Sequence, residues 1–181
     1  MSVYDDIGTV LFTEDQIRVR CLELAKQIEK DYRDSDRLLV VGLLKGSVPF
    51  LSQLIKGFTL DIELDFMDVS SYAGTESTGE IRVDKDLDGS IAGRDVLLVE
   101  DIIDTGRTIR SVRNMLYARK PKSVKIVALL DKPSRRLFDI SADYIGFEVE
   151  DVFVVGFGLD YDQHYRHLPF IGVPKKFMSE S

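Results

Sequence analysis

The sequence predicts an α/β protein built on a largely parallel, twisted sheet flanked by helices. Two observations predict it. Three near-continuous apolar runs have strand length, RLLVVGLL (37–44), RDVLLV (94–99) and SVKIVALL (123–130), and amphipathic segments alternate with them. Strands that lack a polar face are covered on both sides, and a β-α-β-α-β order delivers parallel neighbours with helices on each face. The 181 residues suffice for one domain, 1–181, with its own core; there is no internal repeat, low-complexity run or interdomain linker.

In chain order, TEDQIRVRCLELAKQIEKDY (13–32) opens with a capping-box spacing, Thr13 to Gln16, and sets Ile17, Cys21, Leu24, Ala25 and Ile28 on one helical face. After the strand 37–44, Lys45-Gly46-Ser47-Val48-Pro49 reads as a tight loop that starts a helix, with Ser47 as its cap and Pro49 in its first turn. Leu60, Ile62, Leu64 and Phe66 alternate with polar or acidic residues, which predicts a strand with one wetter face at a sheet edge. From Ser70 to Glu80, SSYAGTESTGE offers few apolar anchors and predicts a long mobile loop. The strand 94–99, a helix over 105–120 and the strand 123–130 follow, and DYIGFEV (143–149) and DVFVVGF (151–157) add two more strands.

Composition narrows the function. With 44% hydrophobic and 30% charged residues the chain has globular values. The single cysteine, Cys21, forms no internal disulfide, and two histidines provide no Cys/His cluster at zinc spacing, so a reducing cytoplasm suits it. The start, MSVYDDIGTV, lacks the features of a secretory signal, and no stretch approaches the roughly 18 apolar residues of a membrane span. We therefore expect a cytoplasmic protein without a membrane partner. Against 24 basic residues stand 31 acidic ones, a net charge of −7, and bulk nucleic-acid binding is not expected.

The stretch LLVEDIIDTGRT (97–108) carries the chemistry. Ligands of a parallel sheet bind beyond the carboxyl ends of its strands, where the loop after Val99 is expected. Thr105, Gly106, Arg107 and Thr108 fall at the start of the next helix, where unpaired N–H groups and the helix dipole favour an anion such as phosphate. Glu100 and Asp101 accept hydrogen bonds only, which suits a vicinal diol, and Asp104 lies one step nearer the anion. Sugar and phosphate together suggest a ribose phosphate. An Asp-Thr-Gly triplet of aspartic-protease type belongs between strands of an all-β fold, whereas here a helix follows, and the nearest P-loop candidate, Gly42 to Ser47, does not match that motif.

VLLVEDIIDTGRT closely resembles the phosphoribosyl pyrophosphate signature of the type I phosphoribosyltransferases. With LLKGS (43–47), SSYAGTESTGEIR (70–82), LLDKPSRR (129–136) and FVVGFGLDYDQHYRHLP (153–169), the chain resembles the hypoxanthine-guanine phosphoribosyltransferases nearly end to end. That resemblance implies the family fold with a small hood region and a long flexible loop. It implies that Lys45, Gly46 and Arg166 bind pyrophosphate, with a cis peptide joining Leu44 and Lys45. Glu100 and Asp101 would hold the ribose hydroxyls, and Asp104, Thr105, Gly106, Arg107 and Thr108 would wrap the 5′-phosphate. Lys132 would donate to the 6-oxo group of the purine, Phe153 would stack on the base and the backbone of Val154 would meet its edge. Asp160, with Glu100 and Asp101, would hold Mg2+; Ser71 and Tyr72 belong to the closing loop, and Asp104 would be the catalytic base taking the N7 proton. His164 and His167 gain no role. Arg107 stands where some members carry Lys, and Ser47 where others carry Gly, a hydroxyl that could reach pyrophosphate.

The implied reaction transfers phosphoribosyl to hypoxanthine and/or guanine in purine salvage, by a homodimer or homotetramer. A xanthine-guanine phosphoribosyltransferase and a nucleotide-binding regulatory protein on the same fold are the alternatives.

Overall fold

The structure is a computed structural model and describes residues 2–71 and 81–178, without the side chain of Ser71. Its main sheet has six strands in the order β4-β3-β2-β5-β6-β7, comprising β2 (Leu38–Leu44), β3 (Ile62–Ser71), β4 (Ile81–Lys85), β5 (Asp95–Ile103), β6 (Ser123–Asp131) and β7 (Tyr144–Glu148). All neighbours are parallel except β4, which pairs antiparallel with β3. Two further strands, β1 (Ile7–Phe12) and β8 (Ile171–Pro174), form a separate antiparallel pair, the small hood.

The continuous apolar runs are explained by cores on both faces. Alternate residues of β2 and β5, Leu38, Val40, Leu97 and Val99, pack with α1 (Glu14–Asp31) and α2 (Val48–Ile55). Their neighbours Leu39, Val41, Val96 and Leu98 pack with α3 (Arg107–Tyr117) on the opposite face. Each such buried side chain contributes about 1.5–3 kcal/mol. Helix α1 buries the five residues its periodicity names and carries the Thr13–Gln16 capping box. Among the described residues no helix is long and apolar enough to cross a membrane.

The chain runs from β2 to β3 in one direction along the sheet and from β5 to β7 in the other, so the order reverses between β2 and β5. At such a switch point the two connections leave in opposite directions and open a crevice at the carboxyl ends of the strands.

Several expectations are corrected. Strand β5 runs on through Ile103, so Glu100 and Asp101 are strand residues and not loop residues. Strand β3 is not at the edge: β4 covers it, and Asp65, expected on a wet face, is buried in an ion pair with Lys85 while Leu64 is exposed. Ser70 and Ser71 extend β3, and Ile81 and Arg82 begin β4, so less of 70–82 is loop than its composition suggests; Tyr72 lies outside the described residues. Residues 151–157 form no strand beyond isolated bridges from Val155 to Gly172 and from Gly156 to Leu159. Gly156, Phe157 and Gly158 all take positive φ, which an extended strand cannot accommodate. Helix α3 is shorter than 105–120, starting at Arg107 and ending at Tyr117. Ser47 occupies the cap position of α2 without capping it: its backbone is already helical, and its buried hydroxyl has no partner among the described residues.

Candidate active site

The connection after β2 and the end of β5 meet at the switch point. The peptide joining Leu44 and Lys45 is cis. Gly46 lies so close to the Asp101 carboxylate that a Cβ there would overlap it, and the Gly46 carbonyl in turn abuts Gly158. Lys45-Gly46, Asp101 and the loop after Val155 therefore converge. That loop is held in an unusual shape, with positive φ also at Asp162, Gln163 and Tyr165. Its Arg166 forms an ion pair with Asp160 at 2.9 Å and donates to the Gly158 carbonyl at 2.7 Å.

Glu100 and Asp101 are half-buried side by side at the end of β5. Local backbone groups donate to them, Asp101 N–H to Glu100 Oε1 at 3.1 Å and Ile102 N–H to Asp101 Oδ1 at 2.7 Å, and the two carboxyls face one another closely enough to share a proton. Burial, followed by the like charge of Asp101, pushes the Glu100 carboxyl well above the usual range. Burial also raises Asp101, although the nearby Arg166 works against it. A pair in this condition attracts cations and hydroxyl donors.

Beyond Ile103 the chain turns at Gly106, whose φ of +83° favours glycine and whose missing Cβ leaves room for Ile140 and Arg136. Gly106 occupies the cap position of α3 and offers no capping side chain, the Arg107 N–H makes only a long contact of 3.4 Å to the Thr105 hydroxyl, and the first turn contains no acid. The uncapped N–H groups border a cavity of about 100 Å³ lined by Glu100 and residues 102–109. Thr105, Gly106, Arg107 and Thr108 are all in that lining, as is Asp104. A phosphate group suits both its size and its donors.

The third side is built from the segment after β6. Lys132 is buried, 7% exposed, and its Nζ donates to the Val152 carbonyl at 2.6 Å, so it is not a surface lysine. The next residue, Phe153, is 39% exposed, with its ring against Phe177 at 4.3 Å and edge-on to Tyr161 at 5.7 Å. Val154 is buried. Lysine and aromatic thus sit together, as recognition of a flat 6-oxo base requires.

Most of the predicted residues come together, with exceptions. Glu100, Asp101 and Asp160 do not assemble into a metal-holding group of three, and none exists among the described residues. Both Asp160 oxygens are engaged, by Arg166 and by the Gln163 N–H. His164 and His167 are exposed. The sequence reading missed Arg135, which pairs with Asp104 at 2.7 Å, and Phe177, which packs on Phe153. The adjacent arginines of KPSRR, without an acid beside them, were the available signal for distant carboxylate partners; nothing local marks Phe177.

Known proteins resemble this chain over nearly its whole length. The family model of the phosphoribosyl transferase domain matches residues 11–162. The hypoxanthine-guanine phosphoribosyltransferase of Bacillus subtilis (strain 168) is 51% identical over 177 residues, which are 97% of this chain and 98% of that protein. The protein of the same name from Staphylococcus aureus (strain Mu50 / ATCC 700699) is 51% identical over 174 residues, covering 96% and 97%. A crystal structure of a hypoxanthine phosphoribosyltransferase from Staphylococcus aureus superposes with a TM-score of 0.92 at 50% identity, covering 98% of this chain and 97% of that one. With this fold, this site and these relatives, the chain belongs to the phosphoribosyltransferase enzymes, in their hypoxanthine-guanine group.

Proposed function

We propose that this chain, acting as one domain over 1–181, transfers the phosphoribosyl group of 5-phosphoribosyl 1-pyrophosphate to hypoxanthine and/or guanine, giving IMP or GMP and pyrophosphate. The observation that carries this reading is the meeting, at one switch point, of the raised Glu100–Asp101 pair, the uncapped start of α3 and the buried Lys132 beside Phe153. These features match in turn a ribose diol, a 5′-phosphate and a 6-oxopurine. A cytoplasmic location and a homodimer or homotetramer belong to the same proposal.

In the reaction a purine nitrogen attacks the ribose C1 and pyrophosphate leaves, through an oxocarbenium-like transition state. Lys45, the N–H groups around Gly46, and Arg166 meet the departing charge. The Glu100 and Asp101 carboxylates accept from the ribose hydroxyls. The α3 N-terminus and the Thr105 and Thr108 hydroxyls hold the 5′-phosphate, so the sugar is fixed at both ends and C1 faces the base. Lys132 leaves the Val152 carbonyl for the purine O6, and Phe153 covers the base. Asp104 accepts the N7 proton as the base loses electron density, a role that typically contributes ~10²–10⁴ in rate.

The family uses a divalent metal with phosphoribosyl pyrophosphate, and we propose Mg2+. Two half-buried carboxylates of raised proton affinity, without a third protein ligand grouped with them, suit an ion that takes most of its oxygens from substrate and water. When bound it neutralises pyrophosphate charge; Glu100 and Asp101 would hold it, with Asp160 nearby through Arg166.

Asp104→Asn keeps the size and one acceptor oxygen while removing the proton acceptor. Single-turnover rate should fall by on the order of 10²-fold or more while phosphoribosyl pyrophosphate still binds. A near-normal single-turnover rate would remove Asp104 from the chemistry. Rates with hypoxanthine, guanine, xanthine and adenine, measured on the wild type, assign the base.

A further inference from the structure

Arg135 spans two regions that a two-substrate reaction must bring into register. Its Nε donates to Asp104 Oδ1 at 2.7 Å, and its NH1 reaches both oxygens of Asp151 at 3.2 and 3.3 Å. Asp104 belongs to the turn that receives the phosphate. Asp151 belongs to the base side, next to Val152, whose carbonyl holds Lys132, and two residues before Phe153.

The surrounding backbone makes this bridge more than a chance surface contact. Residues 132–137 clasp the turn step by step: the Lys132 N–H donates to the Ile103 carbonyl at 2.9 Å and the Leu137 N–H to the Thr105 carbonyl at 3.0 Å. Arg136 is paired with Asp131 and lies against Gly106. The segment carrying the base-reading lysine therefore also grips residues 103–106. Within that clasp the Asp104 side chain is partly exposed, and Arg135 holds its Oδ1 through Nε while NH1 of the same planar guanidinium reaches Asp151.

We propose that Arg135 is a positioning residue: forked between Asp104 and Asp151, it sets the Asp104 carboxylate in register with the base-binding loop. The inference rests on the reading of Asp104 as proton acceptor. Stability is not its purpose, since both members of the Arg135–Asp104 pair are about two-fifths exposed (44% and 42%) and such pairs hold a fold together only weakly. Fixing Oδ1 leaves Oδ2 outside the ion pair and aimed by it, and small errors in the placement of a reacting group are costly in rate.

The test measures single-turnover rate, KM for both substrates and melting temperature for Arg135→Ala, Arg135→Lys, Asp104→Asn and the double variant Asp104→Asn/Arg135→Ala. Arg135→Ala should lower the rate about 10-fold, from misplacement of the acceptor, with KM for phosphoribosyl pyrophosphate changed less than about 3-fold and melting temperature by less than about 4 °C. Arg135→Lys, with one ammonium for two carboxylates, should recover part of the loss. On the Asp104→Asn background, Arg135→Ala should cost nothing further, because the group it positions is gone. A severely slowed Asp104→Asn beside an unimpaired Arg135→Ala overturns this inference alone, as does an equal Arg135→Ala loss on both backgrounds. A normal rate for Asp104→Asn overturns the reading beneath it as well.

Discussion

Strand β5 carries carboxylates at both ends, in opposite circumstances. At its amino end Asp95 is buried, yet Ser35, Lys122 and Ser123 all donate to it, at 2.9, 2.9 and 2.7 Å. Although burial pulls the other way, these donors hold its carboxyl below the ordinary range. At the carboxyl end Glu100 and Asp101 have local N–H groups and one another in place of a lysine or hydroxyl donor, and burial with their mutual charge raises both. The lysines repeat the contrast: Lys122 and Lys125 at the amino end pair with Asp95 and Asp31, whereas buried Lys132 makes do with a backbone carbonyl. One end of the sheet is complete without a ligand. The other is finished only by what binds there, and that difference separates scaffold from site more sharply than burial does.

The largest effect should come from removing the unsatisfied pair. Glu100→Gln with Asp101→Asn keeps shape and acceptors but removes the two charge-assisted bonds proposed to the ribose hydroxyls and the charge proposed to draw a cation. Affinity for phosphoribosyl pyrophosphate with Mg2+ should fall by on the order of 10²-fold. Because two raised carboxylates oppose folding at neutral pH, the same variant should melt higher than the wild type there. Titration calorimetry alongside thermal unfolding reads both. Unchanged affinity, or a lower melting temperature at neutral pH, would break the comparison at this end.

Asp95→Asn should do the reverse, leaving affinity and turnover alone while destabilising the fold by about 1–3 kcal/mol, since donors arranged for a carboxylate lose it. The pH dependence separates the two ends by sign. Asp95 is depressed below 3.8, so its contribution is present above that value and disappears as pH falls through the folded-state pKa. Glu100 is raised above 4.5, so its contribution is intact below that value and is lost as pH rises through the folded-state pKa. Urea unfolding across acid to neutral pH should show the Asp95→Asn deficit growing with pH. The gain from the Glu100 and Asp101 substitutions should grow with pH too. A flat deficit for Asp95→Asn would mean that packing, not charge, decides its place.

How much of this could be read from the letters depends on whether local pattern and tertiary environment agree. Helix α1 was legible because its 3.6-residue period and capping box point the same way, and β2, β5 and β6 because both faces are covered. Residues 151–157 looked like a strand by composition, but positive φ from Gly156 to Gly158 turns the chain into the site. The alternation of β3 assigned Asp65 to water because the partner that buries it, Lys85, lies on β4, whose brief Ile81-Arg82-Val83-Asp84 alternation directly follows a long polar stretch. Strands β1 and β8 escaped notice for a related reason: each is short, and its pairing partner lies at the opposite end of the sequence. At the site, the acids and the Thr-Gly-Arg-Thr turn were explicit in one contiguous motif. Arg135 was not, because its importance lies in partners 31 and 16 residues away.

The smallest effect compares two helix starts. At α1 the Thr13 hydroxyl accepts from the Gln16 N–H at 3.3 Å, the Gln16 side chain accepts from the Thr13 N–H at 2.8 Å, and Glu14 and Asp15 oppose the positive end of the dipole. At α3 a glycine replaces the capping side chain, no acid is present in the first turn, and Arg107 adds positive charge where the dipole is already positive. The first terminus is electrically closed, and the second improves only when an anion arrives. Thr13→Ala should therefore cost about 1 kcal/mol of stability and leave kinetic constants unchanged. Inorganic phosphate, which we propose binds at α3, should raise the melting temperature of the wild type and of Thr13→Ala by the same increment. A larger increment in Thr13→Ala would mean that phosphate caps α1 as well, and the two termini would then differ in degree and not in kind.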